Sequence, residues 1–149
     1  MADDVLAKAL AALGRKARTE AEMREWLLAR EVEGEEVERV IGFLIENLAI
    51  DDRAYAVAFT SDKRELAGWG RDRIREVLIR RGVDRYLVEE ALAASGIESE
   101  VERAVRVLIE KGAELDDDRG RQRALGLLAR RGYEAEEAYA AIRIAGRAA

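Results

Sequence analysis

Clusters of aspartates are the side chains in this sequence whose type and spacing could support acid–base or metal chemistry. They lie at positions 51–52 and 116–118. Each cluster stands at the start of a predicted helix, where aspartate caps free N–H groups and interacts favourably with the helix dipole, so capping accounts for both. The sequence contains no histidine and no cysteine, which excludes thiolate or imidazole metal sites, cysteine nucleophiles, Ser-His triads and disulfides. We therefore predict no enzyme activity, no metal site and no cofactor.

Arginine is the other residue type with functional potential, and it is concentrated in two predicted helices. Residues 63–81 carry seven basic and three acidic side chains, and residues 119–131 carry five arginines and no acidic residue. Arginine favours bidentate contact with carboxylates or phosphates, which predicts binding to a charged partner. The alternative is that both stretches are solvated faces with weak helical ion pairs. The candidate partner-binding residues are Lys63, Arg64, Trp69, Arg71, Arg73, Arg75, Arg80, Arg81, Arg119, Arg121, Arg123, Arg130 and Arg131.

Trp69 lies between two glycines, just before the first of these basic helices. It either packs onto the core, as large aromatic residues usually do, or forms an exposed anchor, since tryptophan and arginine are enriched at interface hot spots. Trp26, Tyr55 and Phe59 are predicted to be core residues. The segment 68–70 is not a phosphate loop, because it lacks a third glycine and a preceding strand.

The overall charge limits the classes of protein to which this chain could belong. It carries 26 basic and 31 acidic residues, a net charge of −5, which excludes a uniformly basic nucleic-acid binder. No stretch of apolar residues approaches the roughly 18 that cross a bilayer. The N-terminus is acidic and leads into an amphipathic pattern, unlike a secretory signal. We therefore expect a soluble, cytoplasmic protein that does not bind membranes.

Apolar residues recur at spacings of three and four along the whole sequence, which predicts an all-α protein. Local signals mark the helix boundaries. Thr19 with Glu22, and Ser99 with Glu102, have the spacing of a capping box, and Gly82 stands where a helix would end in a left-handed residue. The residues predicted to lie on the apolar faces of the first and third helices are Val5, Leu6, Ala9, Leu10 and Leu13, and Val37, Val40, Ile41, Leu44 and Ile45.

The predicted helices form a repeat of about 50 residues. A shift of 51 positions places residues 23–28 on 74–79, and a further shift of 50 places Arg81 and Gly82 on Arg131 and Gly132. The apolar phase is kept at both shifts, which indicates three copies of a three-helix unit. We predict repeats at 1–50, 51–98 and 99–149, which form three tandem three-helix bundles in an elongated, curved body.

Several segments together resemble a known family. In the middle of the chain they are residues 50–56, Phe59, Lys63, Arg64, Gly70, residues 73–74, Leu78, residues 81–83 and residues 90–92. Their order and spacing resemble the central module of the RecX regulators of the RecA recombinase. Residues 13–19, with Glu22, Met23, Trp26 and Leu27, resemble the opening segment of that family, and residues 129–133 resemble its closing segment. The resemblance covers essentially the whole chain.

The resemblance implies an all-helical regulator without catalytic activity that binds the groove of the RecA–single-stranded DNA filament. There it would inhibit filament growth, ATP hydrolysis, strand exchange and repressor cleavage. The sequence departs from the family at Glu31, where glycine is usual, and its pI of 5.1 is lower than that of many relatives. This acidity favours contact with the recombinase over direct DNA binding. We expect a monomer that contacts RecA protein and binds single- or double-stranded DNA weakly.

Two other functions are compatible with the residues. The first is a direct DNA-binding protein made of helix-turn-helix-like repeats, in which the arginines contact phosphates and binding is salt-dependent. The second is a helical scaffold for a different protein partner. The net negative charge and the scarcity of aromatic residues available for base stacking argue against the DNA-binding alternative.

Overall fold

The structure, a computed structural model, describes the backbone of residues 2–148 and the side chains of residues 4–148. Within this range the chain is all-α, as predicted, with nine helices and no strand. None of these helices is both long enough and apolar enough to span a membrane. The helices are α1 (Ala2–Arg15), α2 (Glu20–Ala29), α3 (Gly34–Glu46), α4 (Asp52–Ala67), α5 (Arg71–Arg80), α6 (Arg85–Ala93), α7 (Glu100–Glu110), α8 (Asp118–Arg131) and α9 (Ala135–Ala148).

Both predicted capping-box sequences start a helix. The Thr19 hydroxyl accepts a hydrogen bond from Glu22 N at 3.1 Å, and the Glu22 carboxylate accepts one from Thr19 N at 3.0 Å. This reciprocal pair fixes the first turn of α2. Ser99 accepts a hydrogen bond from Glu102 N at 3.1 Å, so its side chain caps α7.

The aspartate clusters also cap helices, which confirms the capping prediction. Asp51 accepts a hydrogen bond from Ala54 N at 3.0 Å at the start of α4. Asp117, the middle residue of the second cluster, accepts one from Gly120 N at 2.8 Å at the start of α8. These carboxylates are occupied by backbone N–H groups that the first turn of a helix leaves without intrahelical partners.

Equivalent positions of the repeat end the middle helices in the left-handed conformation. Gly82 after α5 has φ 88° and Gly132 after α8 has φ 97°, as the sequence predicts for Gly82. Glu31, which follows α2 and lies 51 positions before Gly82, has φ 61° although it is not glycine. The same helix ending therefore recurs three times, once with a residue that strains to adopt it.

Contacts divide the chain into two compact units. One comprises the residues up to Ala58 together with Leu78–Ala91, and the other comprises Phe59–Val77 together with the residues from Leu92 onward. These boundaries fall inside helices α4, α5 and α6. The division into repeats at 1–50, 51–98 and 99–149 refers to the sequence and stays a prediction.

The core of the first unit lies among α1, α2 and α3. It consists mainly of aliphatic side chains. Trp26 packs against this core and is half-buried. The guanidinium carbon of Arg30 lies over its ring, 3.6 Å from the centroid. Two predicted core residues are wrong, because Leu10 is 43% exposed and Ile45 is 40% exposed. Each follows a buried residue by one position, about 100° around the helix, and so faces away from the core. The buried residues are Ala9, Ala12, Met23, Leu27, Val37, Val40, Ile41, Leu44 and Ile50.

The core of the second unit lies among α7, α8 and α9 and is rich in alanine. Small side chains let these helices approach closely, and Leu108, Leu128 and Ile142 fill the remaining space. Tyr133, which begins the segment leading into α9, is also buried here at 4% exposure. The other members of this core are Ala104, Val107, Ala124, Ala138, Ala141 and Ala145.

Each unit contains one joint at which the start of a middle helix meets the end of a later one. In the first unit, the Thr19 hydroxyl before α2 donates to the carbonyl of Arg81 at 2.7 Å. In the second unit, Gly70 N before α5 donates to the carbonyl of Arg131 at 2.7 Å. Since Thr19 and Gly70 are 51 positions apart and Arg81 and Arg131 are 50 apart, the joint repeats with the sequence.

The second joint has no room for a side chain. A Cβ added to Gly70 would lie 2.5 Å from the carbonyl oxygen of Gly132, and one added to Gly132 would lie 2.4 Å from the Cβ of Arg73. Glycine at both positions allows the backbones to meet. A further hydrogen bond, from Asp72 N to the carbonyl of Gly132 at 3.2 Å, joins the two helix ends. The joint thereby sets where the arginines of α5 and α8 lie.

Candidate interaction surfaces

The first arginines of α5 already have carboxylate partners within the chain. Arg71 pairs with Glu134 at 3.1 Å and with Glu137 at 2.8 Å. Arg75 pairs with Asp72 at 3.1 Å. Because an outside anion would have to displace these partners, neither guanidinium is available to the degree that the sequence suggests.

An arginine at the end of α5 also has a partner within the chain. Arg81 donates a hydrogen bond to the Tyr55 hydroxyl at 2.6 Å. Tyr55, which the sequence predicts to be a core residue, is half-buried and holds this arginine at the first joint. Arg80 is exposed on the last turn of α5. The predicted arginine surface of α5 therefore consists mostly of residues that stabilise the fold.

Trp69 combines features of both predicted alternatives. It is half-buried, and its ring meets that of Phe59 edge to face with centroids 6.0 Å apart. Cations also lie over its ring, with Lys63 Nζ at 4.7 Å and the guanidinium carbon of Arg73 at 3.9 Å from the centroid. Arg73 in turn donates to the carbonyl of Arg130 at 3.2 Å. Trp69 thus organises two of the candidate basic residues through cation–π contacts.

Arg64 is not on an exposed surface. It is 6% exposed and forms an ion pair with Glu100 at 2.6 Å. The same Glu100 carboxylate accepts a hydrogen bond from Arg71 N at 3.0 Å and so caps α5. A carboxylate buried this deeply requires a nearby positive charge, which Arg64 supplies. The prediction that Arg64 meets a partner does not agree with this burial.

Three arginines along α8 are arranged differently from those of α5. Arg119, Arg123 and Arg130 are exposed, and their guanidinium groups have no hydrogen-bond or ion-pair partner among the described side chains. At 100° per residue they lie within about 40° of one another around the helix, and they extend over about 16 Å along it. Gly126 lies on the same face between them. We call these three residues the arginine stripe.

The other two arginines of α8 belong to the fold. Arg121 pairs with Asp118 and donates to the carbonyl of Leu115 at 2.9 Å. Arg131 donates to the carbonyl of Ala67 at 2.9 Å. The structure therefore separates the five predicted arginines of α8 into three that face solvent and two that hold loops in place.

A cavity of about 490 Å³ brings together basic residues from α4, α7 and α8. Arg64, Trp69 and Arg131 are among the predicted site residues, whereas Arg103, Arg106 and Lys111 were missed. Arg103 lies on the apolar face of α7, one residue before Ala104 and four residues before Val107. This position on the apolar face is the sequence signal that could have revealed a buried cation. We call this the cationic cavity, and its basic residues are Arg64, Arg103, Arg106, Lys111 and Arg131.

Two titratable groups at the joints have shifted pKa values. Burial raises the pKa of Asp52, whose carboxylate accepts a hydrogen bond from Glu20 N at 2.9 Å at the first joint. Burial also raises the pKa of Tyr133 to about 12, and its hydroxyl donates to the carbonyl of Gly68 at 2.9 Å beside the second joint. Asp52 accepts a hydrogen bond from the first backbone N–H of α2, just as Glu100 accepts one from the first backbone N–H of α5.

Comparison with known proteins identifies two segments. Residues 6–44 match the first three-helix domain of RecX, and residues 51–92 match the second three-helix domain of RecX. These ranges cover α2, α4 and α5 and most of α1, α3 and α6.

Whole-chain comparisons give the same result. Over 140 residues the chain is 38% identical to the "Regulatory protein RecX" of Deinococcus radiodurans, covering 93% of this chain and 67% of that protein. Over 108 residues it is 39% identical to the protein of the same name from Thermus thermophilus, covering 72% and 71%. The crystal structure of RecX from Lactobacillus salivarius shares the fold, with a TM-score of 0.83, 22% identity and 99% of both chains covered.

Proposed function

Since this chain belongs to the RecX family, we propose that it is a non-enzymatic regulator that binds the RecA–single-stranded DNA filament. In this function it inhibits filament growth, ATP hydrolysis, strand exchange and the coprotease activity that drives repressor cleavage. The relatives are named regulatory proteins, which supports the general class. The filament as partner follows from the family resemblance of the sequence.

The observation that supports a filament contact is the arginine stripe on α8. Its three guanidinium groups are exposed and have no partner in the described part of the chain. Arginine in this state can donate bidentate hydrogen bonds to carboxylates or phosphates without first breaking an internal ion pair. A filament of protein and DNA offers both types of acceptor at regular intervals, so a stripe of about 16 Å can engage several.

The structure changes which arginines should be tested. Reversing the charge of Arg71 or Arg75 would oppose Glu134, Glu137 or Asp72 and so disturb the fold. Loss of inhibition in such a variant would not distinguish binding from stability. Variants of the stripe avoid this problem, since these side chains have no hydrogen bond or ion pair within the described chain that could be lost.

The test is the triple variant Arg119→Glu, Arg123→Glu and Arg130→Glu, assayed for inhibition of DNA-dependent ATP hydrolysis by RecA. We expect this variant to lose inhibition and to stop cosedimenting with the filament, while its circular dichroism stays unchanged. A matched control changes Arg15, Arg85 and Arg143 to glutamate, which alters net charge equally at exposed positions elsewhere. If the stripe variant inhibits as well as the control, the stripe is not the contact.

Direct DNA binding remains the second candidate, and the absence of acidic residues from 119 to 131 is the observation that favours it. Three arginines that engage single-strand phosphates predict a slope of about −2 in a plot of log affinity against log salt concentration. Binding of bare DNA that lacks this slope, or that the stripe variant retains, would contradict the second candidate. The net charge of −5 favours the filament proposal.

A further inference from the structure

We propose that the cationic cavity is a binding site for a phosphate group, carried either by a free phosphate ion or by a nucleotide. The cavity is lined by five basic side chains and by only two acidic ones, Glu65 and Glu110, both of which are exposed. All of these residues belong to the second unit. The site is independent of the arginine stripe and goes beyond the proposed function.

Arg103 is the residue that carries the inference. It is 4% exposed, and its Nη2 donates to the carbonyl of Ser95 at 2.7 Å. Its Nε and Nη1 have no hydrogen-bond partner among the described residues. The nearest carboxylate oxygen belongs to Glu98 at 3.8 Å from Nη1, and that oxygen is in closer contact with Arg106. Arg103 is therefore a buried cation whose charge is poorly matched within the chain.

Such a group is costly, because burying a charge without full pairing and hydrogen bonding opposes folding. Arg64, which lines the same cavity, also leaves its Nε without a partner. Two buried guanidinium groups thus border one open space. An anion in that space would lie close to both positive charges and offset their desolvation.

Phosphate fits this environment better than a single carboxylate. A phosphate monoester carries close to two negative charges and three acceptor oxygens. The wall supplies five cationic groups, of which Arg64 and Arg106 are paired with Glu100 and Glu98. The volume of about 490 Å³ falls in the range of small-molecule pockets, so there is space for more than the ion. The cavity is larger than the ion itself, which is why a nucleotide is one of the two sources.

The test measures the melting temperature of the full chain in sodium phosphate and in sodium chloride at equal ionic strength. We expect phosphate to raise the melting temperature progressively with its concentration, since a ligand that binds only the folded state stabilises it by mass action. Adenosine diphosphate and adenosine are the further probes. A greater effect of the diphosphate than of phosphate assigns the source to a nucleotide, and an equal or smaller effect assigns it to the free ion.

Variants connect the effect to the cavity. Arg103→Met should reduce phosphate affinity about tenfold, because it removes one of the buried positive charges beside the cavity. Since it also removes the hydrogen bond to the Ser95 carbonyl, its phosphate effect is measured against its own stability in chloride. Lys111→Glu is a second variant at an exposed position of the wall, and Arg143→Glu is its charge-matched control outside the cavity. Both cavity variants should weaken the phosphate effect, and the control should not.

Three results would overturn the proposal. The first is no difference between phosphate and chloride in the unmodified chain. The second is an equal phosphate effect in the Lys111→Glu variant and its Arg143→Glu control. The third is stabilisation by adenosine without any by phosphate. None of these outcomes depends on RecA, so failure of this site and failure of the filament proposal are distinguishable.

Discussion

Replacing Glu31 by glycine should stabilise the protein although it deletes a side chain. Glu31 has φ 61°, a left-handed conformation that costs a residue with a Cβ about 1–2 kcal/mol, whereas glycine adopts it without strain. The Glu31 side chain is exposed and has no hydrogen bond or ion pair within the described chain. The substitution therefore removes strain without removing an interaction.

The gain is reduced by the greater freedom of glycine in the unfolded chain, which costs about 0.4–1 kcal/mol. The difference between the two effects predicts a net stabilisation of about 0.5–1 kcal/mol. Urea denaturation followed by circular dichroism measures it. We expect the midpoint to rise while the slope stays unchanged, since the surface exposed on unfolding is the same.

Glu35→Gly is the matched control for this prediction. Glu35 is also exposed but lies in the first turn of α3, where the backbone is helical. There glycine should destabilise by about 0.5–1 kcal/mol, because it lowers helix propensity and relieves no strain. The two substitutions are chemically identical, so opposite signs isolate the backbone conformation. A fall in the midpoint for Glu31→Gly would refute the reasoning.

Two further predictions concern pH. Tyr133→Phe should cost about 1 kcal/mol near neutral pH, because it removes the buried hydrogen bond to the Gly68 carbonyl. Since the folded pKa is about 12 and the unfolded one about 10, the unmodified protein should lose stability relative to the variant as pH rises through that interval. Equal pH dependence of both unfolding free energies above pH 10 would contradict this. Asp52→Asn keeps the acceptor for Glu20 N and removes the buried charge. Burial raises the folded pKa of Asp52. The unmodified protein should therefore lose stability relative to Asp52→Asn as pH rises from below the ordinary aspartate pKa toward 7. Denaturation at several pH values measures this, and a stability difference that stays constant with pH would contradict it.

The sequence predicts those parts of the fold that depend on neighbouring residues. The capping partners of Thr19 and Ser99 lie three residues away, so their spacing alone identifies the helix starts. Gly82 ends α5 as predicted because its requirement is a single backbone angle. Leu10 is a wrong prediction of another kind, since the buried face of α1 includes the small Ala12, whereas the predicted face contains the larger Leu10 in its place.

Residues that depend on distant partners could not be assigned in this way. Arg64 appears in a basic segment, but its carboxylate partner Glu100 lies 36 positions later. A phase signal did exist, because Thr60 and Ala56, four and eight residues earlier, are buried on the same face of α4. The missing information was whether a carboxylate would meet that face, which only the tertiary contacts decide.

The repeat explains why similar arginines have different roles. A shift of 50 places Arg71 on Arg121 and Arg73 on Arg123. Arg71 meets two glutamates at the start of α9, 63 and 66 positions later, and Arg73 rests on Trp69.

At the corresponding positions of α8, Arg121 pairs with Asp118, three residues earlier, and Arg123 has no partner among the described residues. The position of Trp69 is taken there by Arg119, which adds a positive charge in place of the aromatic ring that holds Arg73. One repeat thus uses both Arg71 and Arg73 beside the joint, while the next leaves Arg123 exposed. The surface available to a charged partner is accordingly set less by the number of arginines in a helix than by which of them the acidic residues of another helix can reach.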